Sequence, residues 1–137
     1  LILRRTFIIA AGAFMADMIT PNFSRAEMRC KCGNCMRYDM DDEFMRMLQE
    51  LRNQVGPLRI SSGRRCESHN KSSGGYPKSA HLIGQGSDIQ VYGPRALDII
   101  EHARKTGFSG IGISQRGEHK DRFIHVDTLP RTALWSY

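Results

Sequence analysis

The sequence predicts an α+β domain in which helices flank a small, mainly antiparallel sheet. Apolar residues recur at helical spacing in segments 39–55 and 94–105, and short alternating runs typical of strands lie between and after these segments. The order helix, strand, loop, strand, helix, strand, strand is typical of this class. A chain of 137 residues with 40% hydrophobic and 25% charged residues suits one soluble globular domain and excludes a disordered or collagen-like chain.

The first elements are helical. Ser24 and Glu27 have the spacing of a capping box, which predicts a short helical turn from Ser24. The first long helix, 39–55, has acidic residues near its N-terminal end, where the helix dipole favours them, and Gly56 stops it. Its inward face is predicted from the apolar positions Phe44, Met47, Leu48, Leu51 and Val55.

The second half of the domain combines strands with one helix. Pro94 opens the second long helix, and Leu97, Ile100 and Ala103 are predicted on its buried face. Glycines punctuate residues 62–87, which predicts a long functional loop. Short strands are predicted at 58–61, 88–92, 111–114 and 123–127.

Residues 1–20 are interpreted as a leader, and residues 21–137 as the domain. Arg4 and Arg5 precede ten apolar and small residues, 7–16, as in a secretory signal, and the order Arg-Arg-Thr-Phe is similar to a twin-arginine signal. The alternative is a non-native or untranslated leader, because the chain begins with Leu and Met18 is a possible start.

The formal net charge of +6 favours a polyanionic partner, such as nucleic acid, an anionic membrane or an anionic cell wall. No stretch reaches the roughly 20 apolar residues of a transmembrane helix, so no membrane span is expected. The Lys and Arg residues are scattered and no basic helix is visible, which argues against nucleic acid as the partner.

Two histidines and one aspartate have the composition of a zinc site. His81 and Asp88 flank Gly84 and Gly86, whose backbone freedom allows the chain to fold back and aim both side chains at one point. His125 lies in the strand FIHVD. Two His and one carboxylate form a familiar catalytic zinc set with one position open. Residue types alone favour a simpler interpretation, in which these three side chains bind no metal.

The motifs around these residues change that interpretation. The succession of Ser79, His81, Gly84, Asp88 and His125 resembles the signature of the zinc D-alanyl-D-alanine carboxypeptidase family. That family includes wall-trimming peptidases of bacteria and phage endolysins that cut L-alanyl-D-glutamate or related bonds. An upstream Ser-Gly-x-Arg motif at 62–65 also matches, and the resemblance covers about residues 22–135. It implies a hedgehog-like zinc peptidase fold.

The resemblance implies that His81, Asp88 and His125 bind one catalytic Zn²⁺ ion. It also implies that the substrate is a peptidoglycan stem peptide, which is either trimmed by a carboxypeptidase or cut by an endopeptidase. The protein is expected to be a monomer and to have no nucleic-acid partner. It is expected in the periplasm or cell wall if the leader is a signal, and otherwise in the cytoplasm or on a phage virion.

Two residues are candidates for substrate binding. Arg65 is expected to grip a substrate carboxylate, since a guanidinium makes two parallel hydrogen bonds with such a group. Ser79 is expected to hydrogen-bond the substrate. Arg64 occupies a position that is often aromatic in relatives, so the sequence leaves open which of the two arginines points inward.

The general base is harder to place. Many relatives carry an acid three residues before the last ligand or a His two before it, where this chain has Arg122 and Phe123. Asp127, which shares a strand face with His125, is the first candidate, and Asp121 is the second. The alternative for Asp127 is to orient a ligand His through its other ring nitrogen.

Four cysteines have no part in this site. Cys30, Cys32 and Cys35 are close in sequence, whereas Cys66 is distant. For an exported protein the expected use is two disulfides, or one disulfide and two thiols. The alternative is a structural zinc site with four thiolates, although the paired CxxC motifs of zinc ribbons are absent.

Three functions therefore compete. The leading hypothesis is a zinc peptidase that acts on peptidoglycan. The second is a catalytically silent relative that keeps the metal and binds cell wall or a protein ligand. The third is a small zinc-dependent module that binds nucleic acid.

Overall fold

The computed structural model describes residues 17–137. The leader interpretation therefore lies, as far as residue 16, outside the described residues. None of the helices in the described part is long and apolar enough to cross a membrane.

The described residues form an α+β fold, which confirms the predicted class. The helices are α1 (Arg25–Met28), α2 (Asp42–Val55), α3 (Glu67–Ser72) and α4 (Pro94–Thr106). The strands are β1 (Met18–Thr20), β2 (Phe23–Ser24), β3 (Arg59–Ser62), β4 (Gly86–Gln90), β5 (Gly110–Ser114), β6 (Phe123–Asp127) and β7 (Ala133–Ser136). Two 3-10 helices lie at Ala80–Ile83 and His119–Asp121.

Strands β1 and β2 form a small antiparallel hairpin that the sequence did not predict. Ile19 packs against the core, and the Thr20 hydroxyl donates a hydrogen bond to Gln49 Oε1 of α2 at 2.8 Å. Residues 18–20 therefore pack against the domain that the sequence places at 21–137. Runs of two or three residues are too short for a strand pattern to show.

Five strands form the main sheet in the order β3-β4-β6-β5-β7. Neighbouring strands are antiparallel except β5 and β7, which are parallel. The central strand β6 pairs His125 with Asp88 of β4 on one side and with Gly112 of β5 on the other. Paired residues share a face of the sheet, so this register brings Asp88 and His125 together.

The opposite face of the sheet forms the core with α2 and α4. The core cluster joins apolar side chains from both helices and the central strands, including Leu48, Ile99, Ile111, Ile124 and Val126. Strand residues alternate between the two faces. One face of the sheet is therefore occupied by packing, and the other is available for a site.

The buried face of α4 differs from the prediction. Ala96, Ile99 and Ala103 are buried, whereas Leu97 is 69% exposed. Small alanine side chains allow α4 to pack closely against α2. A prediction that relies on large apolar residues does not recognise alanines as part of the buried face. Pro94 and the left-handed Gly107, with φ 111°, bound the helix as predicted.

The segment predicted as a loop, 62–87, contains helix α3 and the first 3-10 helix. Both are only one or two turns long, so helical periodicity could not show them. These two short helices, together with β3, surround the site described next.

Candidate functional site

Three side chains converge on the free face of the sheet. His81 Nε2 lies 3.2 Å from Asp88 Oδ1, and His125 Nδ1 lies 2.9 Å from the same oxygen. All three side chains are buried, and their ligand atoms lie within 4.8 Å of one another. The structure thus brings together the three residues that the sequence singled out as metal ligands.

The turn before β4 positions His81. Ser79 Oγ accepts a hydrogen bond from the backbone N–H of His81 at 3.3 Å and caps the 3-10 helix. Gly84 ends this helix with φ 71°, and a Cβ there would lie 2.7 Å from the Asp39 carbonyl oxygen. Gly84 is required both by its positive φ and by the lack of space. The chain therefore turns back into β4 and places Asp88 beside His81.

Each histidine uses one ring nitrogen for a second contact that fixes its tautomer. His81 Nδ1–H donates to the Gly63 carbonyl oxygen at 2.7 Å. His125 Nε2–H donates to Asp127 Oδ2 at 2.9 Å. The other nitrogen of each ring faces Asp88. Such outer hydrogen bonds typically orient the histidine ligands of metal sites.

Hydrogen bonds within this group dominate its ionisation. Burial alone would raise the pKa of Asp88, but its hydrogen bonds with His125 and His81 outweigh burial and hold this pKa well below its usual range. Burial would lower the pKa of His125, but hydrogen bonds with Asp127 and Asp88 raise it above its usual value. A proton and a metal ion compete for His125 Nδ1, so metal binding is expected to release a proton.

The donor set fits zinc. Two imidazole nitrogens and one carboxylate oxygen are ligands that catalytic Zn²⁺ uses, with a fourth position left open. Here all three donors are buried and held by outer contacts. An interpretation without a metal leaves unexplained why three buried polar side chains from separate elements share one point.

Asp127 lies at the ring nitrogen of His125 that does not face Asp88. Its Oδ2 also accepts from Arg131 Nη2 at 2.8 Å, and its Oδ1 accepts from Arg131 Nη1 at 2.7 Å and from the backbone N–H of Leu129 at 3.2 Å. Burial would raise the pKa of Asp127, but the bonds with His125 and Arg131 hold it well below the usual range. A carboxylate engaged in this way is a poor proton acceptor. The contacts favour the orienting role over the predicted role of general base.

Asp121, the second candidate for the base, is not brought to the site. It is exposed in the 3-10 helix His119–Asp121 and does not line the cleft around the ligands. It lies four positions before His125, and the strand begins only at Phe123, so strand alternation does not extend to Asp121.

Arg65 faces the site and is held there by three hydrogen bonds. Its Nε donates to Ser62 Oγ at 2.9 Å, its Nη1 to Asn70 Oδ1 at 3.3 Å, and its Nη2 to Asp88 Oδ2 at 3.0 Å. A guanidinium carries about five N–H donors, so roughly two remain for a substrate. Arg65 therefore contacts Asp88, a candidate metal ligand, while it faces the cleft.

Arg64 has a different position. It is buried, and its Nη1 donates to the carbonyl oxygens of Arg65 at 2.7 Å and of His81 at 3.4 Å. Arg64 thus braces the backbone behind the site, and Arg65 is the arginine that points inward. Ser79 lines the cleft; its oxygen accepts from the His81 N–H, while its own hydroxyl hydrogen is available to a substrate.

The three candidate ligand residues open into a cleft of about 780 Å³. Sequence reasoning missed several of its walls. These are Lys78, Leu129, Arg131, Trp135 and Tyr137, together with Phe123. Three cationic residues of the lining, Arg65, Lys78 and Arg131, exceed its two carboxylates, Asp88 and Asp127, by one charge, which suits an anionic substrate.

Two glycines of β5 make room for this cleft. Gly110 pairs with Asp127, and a Cβ on Gly110 would overlap the Asp127 carboxylate. A Cβ on Gly112 would lie 2.7 Å from a ring carbon of Trp135, whose indole lies 5.2 Å from the His125 ring. The absence of a side chain at Gly112 therefore allows Trp135 to lie over the sheet.

The cysteines do not form the expected disulfides. Cys30, Cys32, Cys35 and Cys66 are all free thiols. The Sγ atoms of Cys30 and Cys66 are 3.7 Å apart, and those of Cys32 and Cys35 are 3.4 Å apart. A disulfide bond is about 2.05 Å long, so both distances correspond to contacts and not to covalent bonds.

The geometry agrees with a comparison against known families. The family described as peptidase M15 matches residues 21–127, a range that includes all three ligand candidates and ends before Arg131 and β7. No curated protein matches the chain at a significant level. The match covers well over half of the sequence and confirms the resemblance seen in the motifs. The chain therefore belongs to the peptidase M15 family and is, by that membership, a hydrolase of the metallopeptidase class.

Proposed function

We propose that this protein hydrolyses stem peptides of peptidoglycan with one Zn²⁺ ion held by His81, Asp88 and His125. The observation that carries the proposal is the convergence of these three buried donors in a basic cleft of a peptidase M15 domain. When bound, zinc would polarise the scissile carbonyl and make a water molecule more acidic.

The cleft supplies groups for substrate binding. Stem peptides carry several carboxylates, and Arg65 has N–H donors that are not engaged by the protein. Lys78 adds positive charge, while Trp135 and Tyr137 offer aromatic surface against the peptide. These groups support binding of an anionic peptide in the cleft.

Arg65 also links substrate binding to metal binding. Its guanidinium occupies Asp88 Oδ2 and leaves Oδ1 directed at the two histidines. A substrate carboxylate on Arg65 would therefore lie close to the ligand set. One chain supplies the three ligands and the cleft walls, so we propose that the monomer is active.

A wall substrate also bears on location. We propose that the protein acts in the periplasm or cell wall, or that it is released onto the wall as a phage enzyme. The net charge of +6 supports contact with an anionic wall.

The test is digestion of peptidoglycan. Purified full-length protein with bound zinc is incubated with sacculi and with a synthetic stem pentapeptide that ends in D-Ala-D-Ala, and the products are read by mass spectrometry. Loss of one terminal D-Ala identifies a carboxypeptidase, and an internal cut identifies an endopeptidase. A chelator should abolish the products and added zinc should restore them.

Two variants control this experiment. His125→Ala removes one of three protein ligands and should abolish activity. Arg46→Ala removes a cation from an exposed pair on α2, where Arg46 is 60% exposed, and should behave as wild type. Digestion that is insensitive to chelator, or equal in both variants, would contradict the proposal.

One observation favours a second candidate, a catalytically silent protein that binds cell wall. In the part of the chain that the structure describes, Asp88 and Asp127 are the carboxylates that line the cleft, and both are engaged by neighbours. No further Asp or Glu of that part lines it. Zinc-loaded protein that sediments with sacculi but releases no peptide would identify this function.

A further inference from the structure

The four cysteines form a second cluster, separate from the cleft. We call the side chains of Cys30, Cys32, Cys35 and Cys66 the thiol cluster. All four Sγ atoms lie within 4.8 Å of one another. In a tetrahedral zinc site with Zn–S bonds of about 2.3 Å, neighbouring sulfurs are about 3.8 Å apart. The Cys30–Cys66 and Cys32–Cys35 distances of 3.7 and 3.4 Å are close to that value.

The mutual approach of all four sulfurs is the informative feature. Two disulfides require only that each sulfur approaches one partner. A single metal ion requires that all four approach one another, as they do here. The four cysteines come from two distant parts of the chain, since Cys66 caps the start of helix α3 and the other three lie between α1 and α2.

Backbone N–H groups are directed at two of the sulfurs. Cys32 Sγ accepts from the N–H groups of Asn34 and Cys35, each at 3.3 Å. Cys30 Sγ accepts from the N–H of Cys66 at 3.4 Å. Donors directed at sulfur favour the thiolate form, which is the form that binds metal.

The loop that carries three of the cysteines has a backbone suited to a closed site. Gly33 and Met36 have positive φ angles of 82° and 56°, and Met36 is the one non-glycine residue of the described chain with such an angle. The N–H of Cys30 donates to the Arg37 carbonyl oxygen and closes the loop. A bulky residue keeps a left-handed conformation only where its surroundings impose it. A metal ion at the centre of the thiol cluster would impose it.

We propose that the thiol cluster binds one structural Zn²⁺ ion. Four thiolates in a tetrahedral arrangement select zinc or iron, and a closed set of four ligands leaves no open position for catalysis. The site would attach the loop 30–35 to the start of α3. Cys66 directly follows Arg65, so this attachment would fix the backbone from which Arg65 reaches Asp88. The proposal does not depend on the peptidase activity.

The first test is metal content, measured by mass spectrometry of protein purified under reducing conditions. Wild type should contain two zinc ions per chain, Cys66→Ser one, and His125→Ala one. Serine is a favoured residue at a helix N-cap, so Cys66→Ser removes the sulfur while it suits the start of α3. Retention of two zinc ions by Cys66→Ser, or iron in place of zinc in wild type, would overturn the proposal.

A second test needs no variant in the cluster. Cobalt replacement should give wild type and His125→Ala the strong thiolate-to-cobalt charge-transfer absorption of a tetrahedral sulfur site. In zinc-loaded wild type, the four cysteines should resist alkylation and become reactive when a strong chelator is added. Intact mass that shows two disulfides, or alkylation that is equal with and without chelator, would overturn the proposal. These readouts are unaffected if the protein proves to hydrolyse nothing.

Discussion

Replacing Asp127 by Asn separates its two possible roles. The carboxylate accepts hydrogen bonds from His125, Arg131 and Leu129, and each oxygen takes two of them. Asparagine has a similar shape, but its amide nitrogen is a donor. Whichever way the amide points, one pair of donors faces a donor and loses its acceptor. At the Oδ2 position the amide nitrogen takes the acceptor from His125 directly. At the Oδ1 position it breaks the contacts with Arg131 and Leu129 that hold the side chain against His125.

The size of the effect follows from the position of His125. Loss of an outer hydrogen bond to a ligand histidine typically weakens metal affinity by about 10–100-fold, which corresponds to about 1.4–2.8 kcal/mol. We expect Asp127→Asn to show this loss and to recover most of its rate at saturating zinc. A general base would behave differently, with zinc affinity unchanged and the saturated rate lowered by about 10²–10⁴-fold.

Peptide hydrolysis measured over a series of buffered free-zinc concentrations gives both quantities. Half-saturation reports affinity at the site of His81 and His125, and the plateau reports the rate. Asp121→Asn is the matched control, because Asp121 is exposed outside the cleft, and it should follow wild type in both. If Asp127→Asn saturates at the wild-type zinc concentration and stays inactive, the orienting role is refuted.

Three further predictions concern the same site. Arg65→Ala should lower kcat/KM by about 10–100-fold, since a hydrogen bond to a charged group contributes about 1.5–3 kcal/mol. Arg65→Lys should not restore kcat/KM, because an ammonium lacks the bidentate geometry. Near-wild-type kinetics for the Lys variant would show that charge alone suffices. Gly110→Ala places a methyl group against the Asp127 carboxylate, so denaturant unfolding should show a loss of about 1–3 kcal/mol, and zinc affinity should fall with it; wild-type stability would contradict the overlap. In Cys66→Ser, where the thiol cluster is broken, zinc affinity should rise with pH until pH passes the raised pKa of His125, because the protonated ring cannot bind metal. Calorimetry of that variant in buffers of different ionisation enthalpy should show proton release below that pKa, and zinc binding there without proton release would disprove the competition.

The convergence of His81, Asp88 and His125 could be predicted from sequence because much of the information is local. Gly84 and Gly86 mark the turn that brings His81 beside Asp88, and a motif resemblance supplied the distant His125. Helices α2 and α4 could also be predicted from sequence, since each spans several turns and has clear start and stop residues. Local patterns of this kind can be recognised in the sequence without knowledge of the tertiary fold.

The missed features depend on contacts between distant or very short elements. Trp135 lies in β7 and Tyr137 directly follows it, and both line the cleft. This strand has only four residues, and its sequence does not indicate that it pairs in parallel with β5. The alternation of side chains along a strand correctly predicted that Asp127 lies on the same face of the sheet as His125. It could not show that the carboxylate meets the outer nitrogen of His125 and the guanidinium of Arg131. The convergence of Cys66 with the loop 30–35 likewise requires the folded chain.

The glycine face of β5 constrains how this cleft can change during evolution. At Gly110 and Gly112 even a methyl group meets an occupied position, so mutation there damages the site before it can alter substrate preference. The residues above them are under weaker constraint, since Lys78 is exposed and Trp135 belongs to an edge strand. New specificities are therefore accessible by substitution in the segment 73–79 and in β7, while the strand beneath stays fixed. Directed-evolution libraries for new peptide substrates would gain most by varying those walls and leaving Gly-Ile-Gly untouched.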